Sequence, residues 1–445
     1  MNSDLIDVDP HLLARWNRSV PRYTSYPTAP QFYPIEEGEV IAKLCTFDQT
    51  QKPLSLYIHI PFCKTMCLFC GCSVVLNRKP ERQSAYLHHL LQEIERVAGH
   101  FSARRPVTQL HFGGGTPTSL TEEQFEQLLE RVHRHFALVP EAEVSIEIDP
   151  RTVFADQGSK LAALKRLGFN RVSFGVQDLD PVVQEAVRRR QSEEMTVSTY
   201  EKARELGFDG INIDLIYGLP HQTVDRFAKT VDRLLALKPD RIALYSYAKI
   251  PWLKEHQKAI PDETLPSTEE KLRIYVDARA RFMRGGYCAI GMDHFARSTD
   301  PLARAYASRT LARNFQGYSV QLAEDMLGFG LTSIGFLENS YFQNLKELEA
   351  YQTRVAQGHI PIQRGYILNK EDIVRRQAIQ SLMCHFELEK RVFGHLADVS
   401  SLIAEGLLEE TVDHYRATPL GRLFIRLIAS AFDAYLAKGQ FSRAV

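Results

Sequence analysis

The stretch Tyr57-Ile-His-Ile-Pro-Phe-Cys63-Lys-Thr-Met-Cys67-Leu-Phe-Cys70-Gly-Cys72 decides how this chain is read. Its opening alternates: Ser55, Tyr57 and His59 share one face, Leu54, Leu56, Ile58 and Ile60 the other, which predicts a β-strand. The cysteines follow on the loop leaving that strand's C-terminal end, where barrel enzymes carry their chemistry. Working outward, similar runs recur at Thr108–Phe112, Glu143–Ile148, Arg171–Val176, Gly210–Ile216, Arg241–Tyr247 and Cys288–Met292. Segments with apolar residues at three-to-four spacing lie between them: Glu81–Phe101, Glu122–Phe136, Lys160–Leu167, Glu194–Leu206, Val224–Leu237 and Glu269–Arg284. Strand–helix units in series imply a parallel sheet with right-handed crossovers.

An open doubly wound sheet and a barrel both satisfy that rhythm. Strands buried on both faces read as continuous apolar runs, whereas here Ser145, Glu147 and Asp149 separate from Val144, Ile146 and Ile148, and Asn212 and Asp214 from Ile211, Ile213 and Leu215. One polar face per strand suits a lumen that holds a polar ligand. The expected fold class is α/β, an incomplete TIM-like barrel of about six to seven parallel strands.

The barrel is expected over 53–365. Before it, 1–52 forms an arm rich in Pro, Tyr and Thr with a helix over Glu37–Phe47. After it, 366–445 reads as a small, mainly helical, winged-helix-like domain: helices over Glu371–Met383 and Val392–Ala404, a β-wing over Gly406–Thr418, and a final helix over Arg422–Leu436.

Of the 445 residues 44% are hydrophobic and 24% charged, with 54 basic against 54 acidic side chains. That is the composition of a soluble globular protein. Zero net charge and the lack of a Lys/Arg block give no support to a nucleic-acid or membrane-surface partner. The acidic start MNSDLIDVD is unlike a secretory leader, and the apolar run Leu423–Leu436 is interrupted by Arg426 and Asp433. A cytoplasmic location and a monomer are the expectations. In a reducing compartment seven cysteines do not build a disulfide framework, and four of them crowd into 63–72.

Cys63, Cys67 and Cys70 have C-x3-C-x2-C spacing, and three thiolates on one loop can hold three corners of a 4Fe–4S cube. The fourth iron would stay open to a small molecule. If that molecule is S-adenosylmethionine, its reductive cleavage yields a radical able to abstract an unactivated hydrogen, chemistry that belongs to the cofactors and that the protein positions. A structural zinc site using Cys72 as fourth ligand is the alternative, although zinc motifs usually pair two cysteines with a second pair far along the chain. An electron-transfer cluster with all four cysteines is another. On its own, Cys72 reads as a thiol beside the cluster rather than a ligand, and Cys45, Cys288 and Cys384 as small buried hydrophobes. Gly113-Gly114-Gly115-Thr116-Pro117, after the second strand, leaves a bare backbone that a ligand can approach closely.

The cysteine spacing followed by GGxTP resembles the radical S-adenosylmethionine superfamily. PRYTSYPTA (Pro21–Ala29), YIHIPFC, FCGC, HFGGGTPT (His111–Thr118), SIEIDPR (Ser145–Arg151), FGVQD (Phe174–Asp178), NIDLIYGLP (Asn212–Pro220), IGMDHFAR (Ile290–Arg297), RNFQGY (Arg313–Tyr318) and the terminal QFSRAV resemble the oxygen-independent coproporphyrinogen III oxidases within it. The resemblance implies oxidative decarboxylation of two propionates of coproporphyrinogen III to vinyls, giving protoporphyrinogen IX in haem biosynthesis. It also implies one 4Fe–4S cluster, two S-adenosylmethionine molecules, and a low-potential reductant such as flavodoxin or ferredoxin.

Matched position by position, Cys63, Cys67 and Cys70 would hold the cluster. Tyr57, Gly114 and Glu147 would contact the first S-adenosylmethionine, Tyr57 and Glu147 counting also as catalytic, with Gln177, Arg189, Asp214, Ala248 and Ile334 as further contacts. Phe69, Gly115 and Thr116 would line the second molecule's place. Arg22, Tyr23, Phe315 and Gln316 are candidates for the substrate, with tethering of the arm as the other duty for Arg22 and Tyr23. Relatives in the same superfamily suggest two other activities, a haem chaperone and a radical haem-degrading methyltransferase.

Overall fold

The computed structural model describes residues 15–16, 18–50, 52–320, 323–436 and 441. The expected acidic start and most of QFSRAV lie outside these residues.

Six strands carry the barrel in chain order: β1 (Leu54–Ile60), β2 (Arg105–Gly114), β3 (Phe136–Ile148), β4 (Arg171–Gln177), β5 (Gly210–Tyr217) and β6 (Arg241–Ser246). Each pairs in parallel with the next. The helices that cross between them include α1 (Pro80–Ala98), α2 (Glu122–His135), α3 (Ser159–Arg166), α4 (Glu193–Glu205) and α5 (Val224–Leu237); α6 (Thr268–Arg284) follows β6. Their limits have local causes. Thr121 and Gln124 form a capping box at the start of α2, whose Phe125, Leu128, Leu129 and Val132 then turn inward at helical spacing. Those faces meet Phe112, Ile146, Phe174, Ile213 and Leu244 from the outer side of the sheet. Full burial of a ring such as Phe112 stabilises by roughly 1.5–3 kcal/mol.

The seventh parallel strand is not the one the sequence suggested. Tyr287–Gly291 (β7) instead folds back on His294–Arg297 (β8), an antiparallel hairpin that joins the sheet through β8 against β6. Only Met292 and Asp293 separate the two strands, too short a connection for a parallel crossover. The seventh parallel strand is Met326–Phe329 (β9), on the far side of β1. Antiparallel strands β10 (Ile334–Leu337), β11 (Ser340–Asn344) and β12 (Ile362–Ile367) continue beyond it. Among the described residues the 13-stranded sheet stays open, its edges being Tyr33–Pro34 and β7. The barrel is incomplete, as expected.

Arm and C-terminal segment cover the opening. Helix α7 (Lys370–His385) packs on the separate hairpin Ala312–Ser319 and on β7. Three expectations for the C-terminal segment change. The helix over Val392–Ala404 is broken into Lys390–Phe393, a 3-10 turn Gly394–Leu396 and Ser400–Ala404. There the Asp398 carboxylate accepts from both the backbone and hydroxyl of Ser400 at 2.9 and 2.6 Å and restarts the helix. The final helix is two short ones, Pro419–Leu423 and Ile425–Ser430, parted at Phe424, whose φ of −110° and ψ of 27° leave helical geometry. The buried Arg426 beside it donates to the Pro21 carbonyl at 3.0 Å and to that of Val20, anchoring the arm. The wing gains a third strand, Glu387–Glu389, paired with His414–Ala417.

Candidate active site

Register brings the polar faces into one row. Tyr57 lies beside His111 and His111 beside Ser145; Glu147 lies beside Ser173, Ser173 beside Asn212, and Gly175 beside Asp214. These side chains meet in the lumen. The Tyr57 ring stacks on His111 with centroids 6.0 Å apart, and its hydroxyl donates to His59 Nδ1 at 2.9 Å. His59 Nε2 in turn donates to the Ser73 carbonyl at 3.0 Å, and burial lowers its pKa, so the ring stays neutral and holds Tyr57 to the loop beyond the cysteines.

Glu147 accepts from the Gly114 backbone N–H at 3.1 Å, with His111 Nε2 3.5 Å away. Asp214 accepts from Asn212 at 2.7 Å and from Ser173 at 3.0 Å. Burial, helped by the nearby Glu147 charge, pushes the pKa of Asp214 up to about 7. Below, a buried set of two carboxylates and two guanidiniums closes the floor: Arg171 bonds Asp300 at 2.8 Å and lies 3.3 Å from Glu143, while Arg241 reaches the same two at 2.8 and 3.4 Å. The lumen keeps a cavity of about 120 Å³ between that floor and the Glu147–Asp214 level.

The glycine loop is shaped by what crowds it. A Cβ on Gly113 would lie 2.9 Å from Glu147 Oε1 and 3.0 Å from the Tyr57 ring. On Gly115 it would lie 2.5 Å from the Pro61 carbonyl oxygen, at the root of the cysteine loop. Gly114 has a φ of +122°, a region open to glycine and strained for other residues. The loop thus presses against both the lumen and the cysteine segment.

The three cysteines of the motif meet different surroundings. Cys67 Sγ has Arg189 Nη1 at 3.5 Å and Arg151 Nη2 at 3.7 Å. The hydrogen bond between Cys70 and Cys72 lowers the pKa of Cys70 and raises that of Cys72. Cys63 sits 3.3 Å from the Thr116 hydroxyl, though burial pushes its pKa up to about 11. Among the described residues no three His, Cys, Asp or Glu side chains are grouped as a site for a single metal ion. Cys63, Cys67 and Cys70 lie along one loop, with Cys72 two residues beyond the last of them.

Of the run Arg188–Arg190, only Arg189 turns inward. It is 6% exposed, pairs with Asp149 at 3.3 Å and donates to the Gly175 carbonyl at 2.5 Å, while its Nε is buried without a partner. Gln177 shares that place, since a Cβ on Gly175 would meet Gln177 Nε2 at 2.9 Å and Arg189 Nη2 at 3.1 Å. Phe69 is held through its carbonyl by Gln257 at 2.9 Å, and Ala248 lies on the loop after β6. Ile334 starts β10, its carbonyl against Gly328, which neighbours Tyr57 in the sheet.

Two of the four substrate candidates, Tyr23 and Phe315, line one cavity outside the lumen. Arg22 forms an ion pair with Asp293 and lies over the Tyr245 ring at 5.6 Å. Tyr23 donates to Asp433 at 3.0 Å, tying the arm to the C-terminal segment. Gln316 borders the lumen, and Phe315 packs edge-on against Tyr341 with ring centroids 5.8 Å apart. His59, His111, Asp149 and Arg151 join the site without having been singled out. The signal for His59, Asp149 and Arg151 is position, inside or just beyond strands whose polar faces the sequence separates, whereas His111 lies in the second strand run, whose faces it does not separate.

The superfamily model for radical SAM proteins matches residues 57–234, the span from Tyr57 into α5. An oxygen-independent coproporphyrinogen III oxidase of Escherichia coli strain K12 is 42% identical over 462 residues, covering 100% of both chains. One from Synechocystis is 41% identical over 464 residues, covering 99% of this chain and 98% of its own. The chain belongs to the oxygen-independent coproporphyrinogen III oxidase family. A solved structure of the Escherichia coli coproporphyrinogen III oxidase, described as a radical SAM enzyme, superposes with a TM-score of 0.89 at 40% identity, covering 97% of this chain and 100% of its own. Membership makes the protein a radical SAM oxidoreductase of haem biosynthesis, and with it come a 4Fe–4S cluster and S-adenosylmethionine as the cofactors. The likeness to these coproporphyrinogen III oxidases runs along the whole chain, arm and C-terminal segment included, rather than stopping at the barrel. Among the described residues no helix is long and apolar enough to cross a membrane.

Proposed function

We propose that the protein converts two propionates of coproporphyrinogen III into vinyl groups, giving protoporphyrinogen IX without oxygen. Each conversion removes one hydrogen atom, one electron and carbon dioxide from a propionate, the electron passing to an external one-electron acceptor. The observation that carries the reading is the meeting of the cysteine loop, the glycine loop and the Tyr57–Glu147–Asp214 row at one end of the barrel. When bound, the cluster and S-adenosylmethionine supply a hydrogen-abstracting radical.

Cys63, Cys67 and Cys70 would hold the cluster, with Arg189 Nη1 3.5 Å and Arg151 Nη2 3.7 Å from the Cys67 sulfur. Glu147 and the Gly114 backbone receive the ammonium group of S-adenosylmethionine. Arg189 Nε, buried without a partner, offers a donor to its carboxylate. Asp214, Gln177, Ala248 and Ile334 would be further contacts of S-adenosylmethionine. Tyr57, fixed by its hydrogen bond to His59 and stacked on His111, would contact S-adenosylmethionine. A second S-adenosylmethionine stands against Phe69, Gly115 and Thr116. A low-potential flavodoxin or ferredoxin in the cytoplasm supplies the electrons, and the chain acts as a monomer.

Anaerobic incubation of the reconstituted protein with coproporphyrinogen III, S-adenosylmethionine and a reductant, followed by mass spectrometry, tests the reading. The expected product has lost two carbon dioxide units. A methylated macrocycle or an opened ring would move the chain to a different radical activity.

A further inference from the structure

A larger cavity, about 390 Å³, lies outside the lumen, between arm residues Tyr23–Tyr26, the hairpin Ala312–Ser319 and α7. Asn314 borders both spaces. Phe315, Phe336 and Tyr341 supply aromatic wall, and two arginines enter. The charge of Arg376 is already balanced: Nη1 pairs with Glu324 at 2.5 Å and Nε donates to the Tyr341 hydroxyl at 3.2 Å.

Arg313 is different. It is only 7% exposed, its Nη2 donates to the Arg22 carbonyl at 3.3 Å, and its guanidinium lies 4.6 Å from the centre of the Tyr318 ring. Its Nε and Nη1 are buried without a partner, and no carboxylate of the described residues pairs with it. His385, in the same wall, also buries an unpartnered Nδ1. A buried cation with unpaired donors is costly unless a ligand supplies the missing acceptors. The chemistry that does so most completely is a carboxylate, which a guanidinium takes with two charge-assisted hydrogen bonds.

We infer that this cavity receives an edge of the tetrapyrrole, with Arg313 binding one of its propionate carboxylates. The inference rests on the proposed substrate. The aromatic wall suits pyrrole rings, and Arg313 shares its hairpin with Asn314 and Gln316 at the lumen. Met326, also in the wall, neighbours Ser55 at the start of β1, whereas the cysteine loop leaves that strand's other end. The carboxylate at Arg313 is therefore one that stays intact. Arg22, the arm's arginine, is ion-paired with Asp293 and adds only its carbonyl.

The test measures KM and kcat for anaerobic turnover of coproporphyrinogen III by the holoenzyme and its Arg313→Gln and Arg313→Lys variants. Inhibition by coproporphyrin III is compared in parallel with inhibition by its tetramethyl ester. Arg313→Gln should raise KM at least tenfold with a smaller effect on kcat, Arg313→Lys less, and substrate-free cleavage of S-adenosylmethionine should not change. The wild type should prefer the tetra-acid, and Arg313→Gln should lose that preference. An unchanged KM, or acid and ester weakened alike, overturns the inference while leaving the functional reading intact. Absence of wild-type turnover overturns the functional reading, and tetra-acid against ester binding, followed by porphyrin fluorescence, then decides the cavity alone. If Arg313→Gln does not fold, Arg313→Lys together with the acid–ester comparison on the wild type decides the question.

Discussion

Replacing Asp214 by Asn removes a carboxyl whose ionisation the fold opposes. Its pKa is 3.8 in ordinary surroundings and about 7 in the lumen, because burial comes first and the Glu147 charge second. Between those values the folded chain keeps a proton that the unfolded chain has released. The stabilisation is complete below 3.8 and is lost as pH rises toward 7, levelling off above it. At ~1.36 kcal/mol per pH unit, the full loss is on the order of 4 kcal/mol and about 1.6 kcal/mol of it is reached by pH 5. Asparagine keeps the local bonds, since its carbonyl accepts from Asn212 and its amide donates to the Ser173 hydroxyl, which are 2.7 and 3.0 Å from the carboxylate now. Cluster-free D214N and wild-type protein are compared by urea unfolding between pH 5 and pH 8. The variant should gain on the wild type by roughly 2–3 kcal/mol from pH 5 to pH 7.5 and no further above. A difference that is flat across that interval, or that shrinks as pH rises, refutes the argument that this carboxyl is held protonated.

Three further outcomes are expected. Reconstituted C72S should keep its iron and visible absorbance, whereas C63S, C67S and C70S should each lose them, which iron analysis checks. Gly115→Ala places a methyl 2.5 Å from the Pro61 carbonyl oxygen, and unfolding experiments should show a loss of about 1–3 kcal/mol together with poorer iron retention. Tyr23→Phe deletes the hydrogen bond to Asp433, and if the residue is a tether it should cost about 1 kcal/mol of stability while leaving KM for the macrocycle unchanged.

Local information decided a great deal. Six parallel strands, their crossing helices and the polar row were legible because period two and period 3.6 are written into neighbouring residues, and the cysteine spacing is confined to one loop. The C-terminal helices failed for one local reason and one distant one. Apolar spacing ran on through Gly394 and Phe424, but the Asp398–Ser400 cap and the burial of Arg426 against the arm redirected the backbone.

What the sequence alone determined is chemistry held within short segments: which strand carries the cysteines, which glycines follow the next strand, and which strand faces are polar. What only the tertiary structure decided is every relation across the chain: that β9 rather than β7 extends the parallel sheet, that Arg189 and not its neighbours reaches Cys67, that Arg22 is already paired, and that Arg313 is not. The reason is physical. Strand and helix periodicity depend on a residue's near neighbours, whereas the pairing of a buried charge depends on groups brought together from distant parts of the chain, such as Arg22 with Asp293.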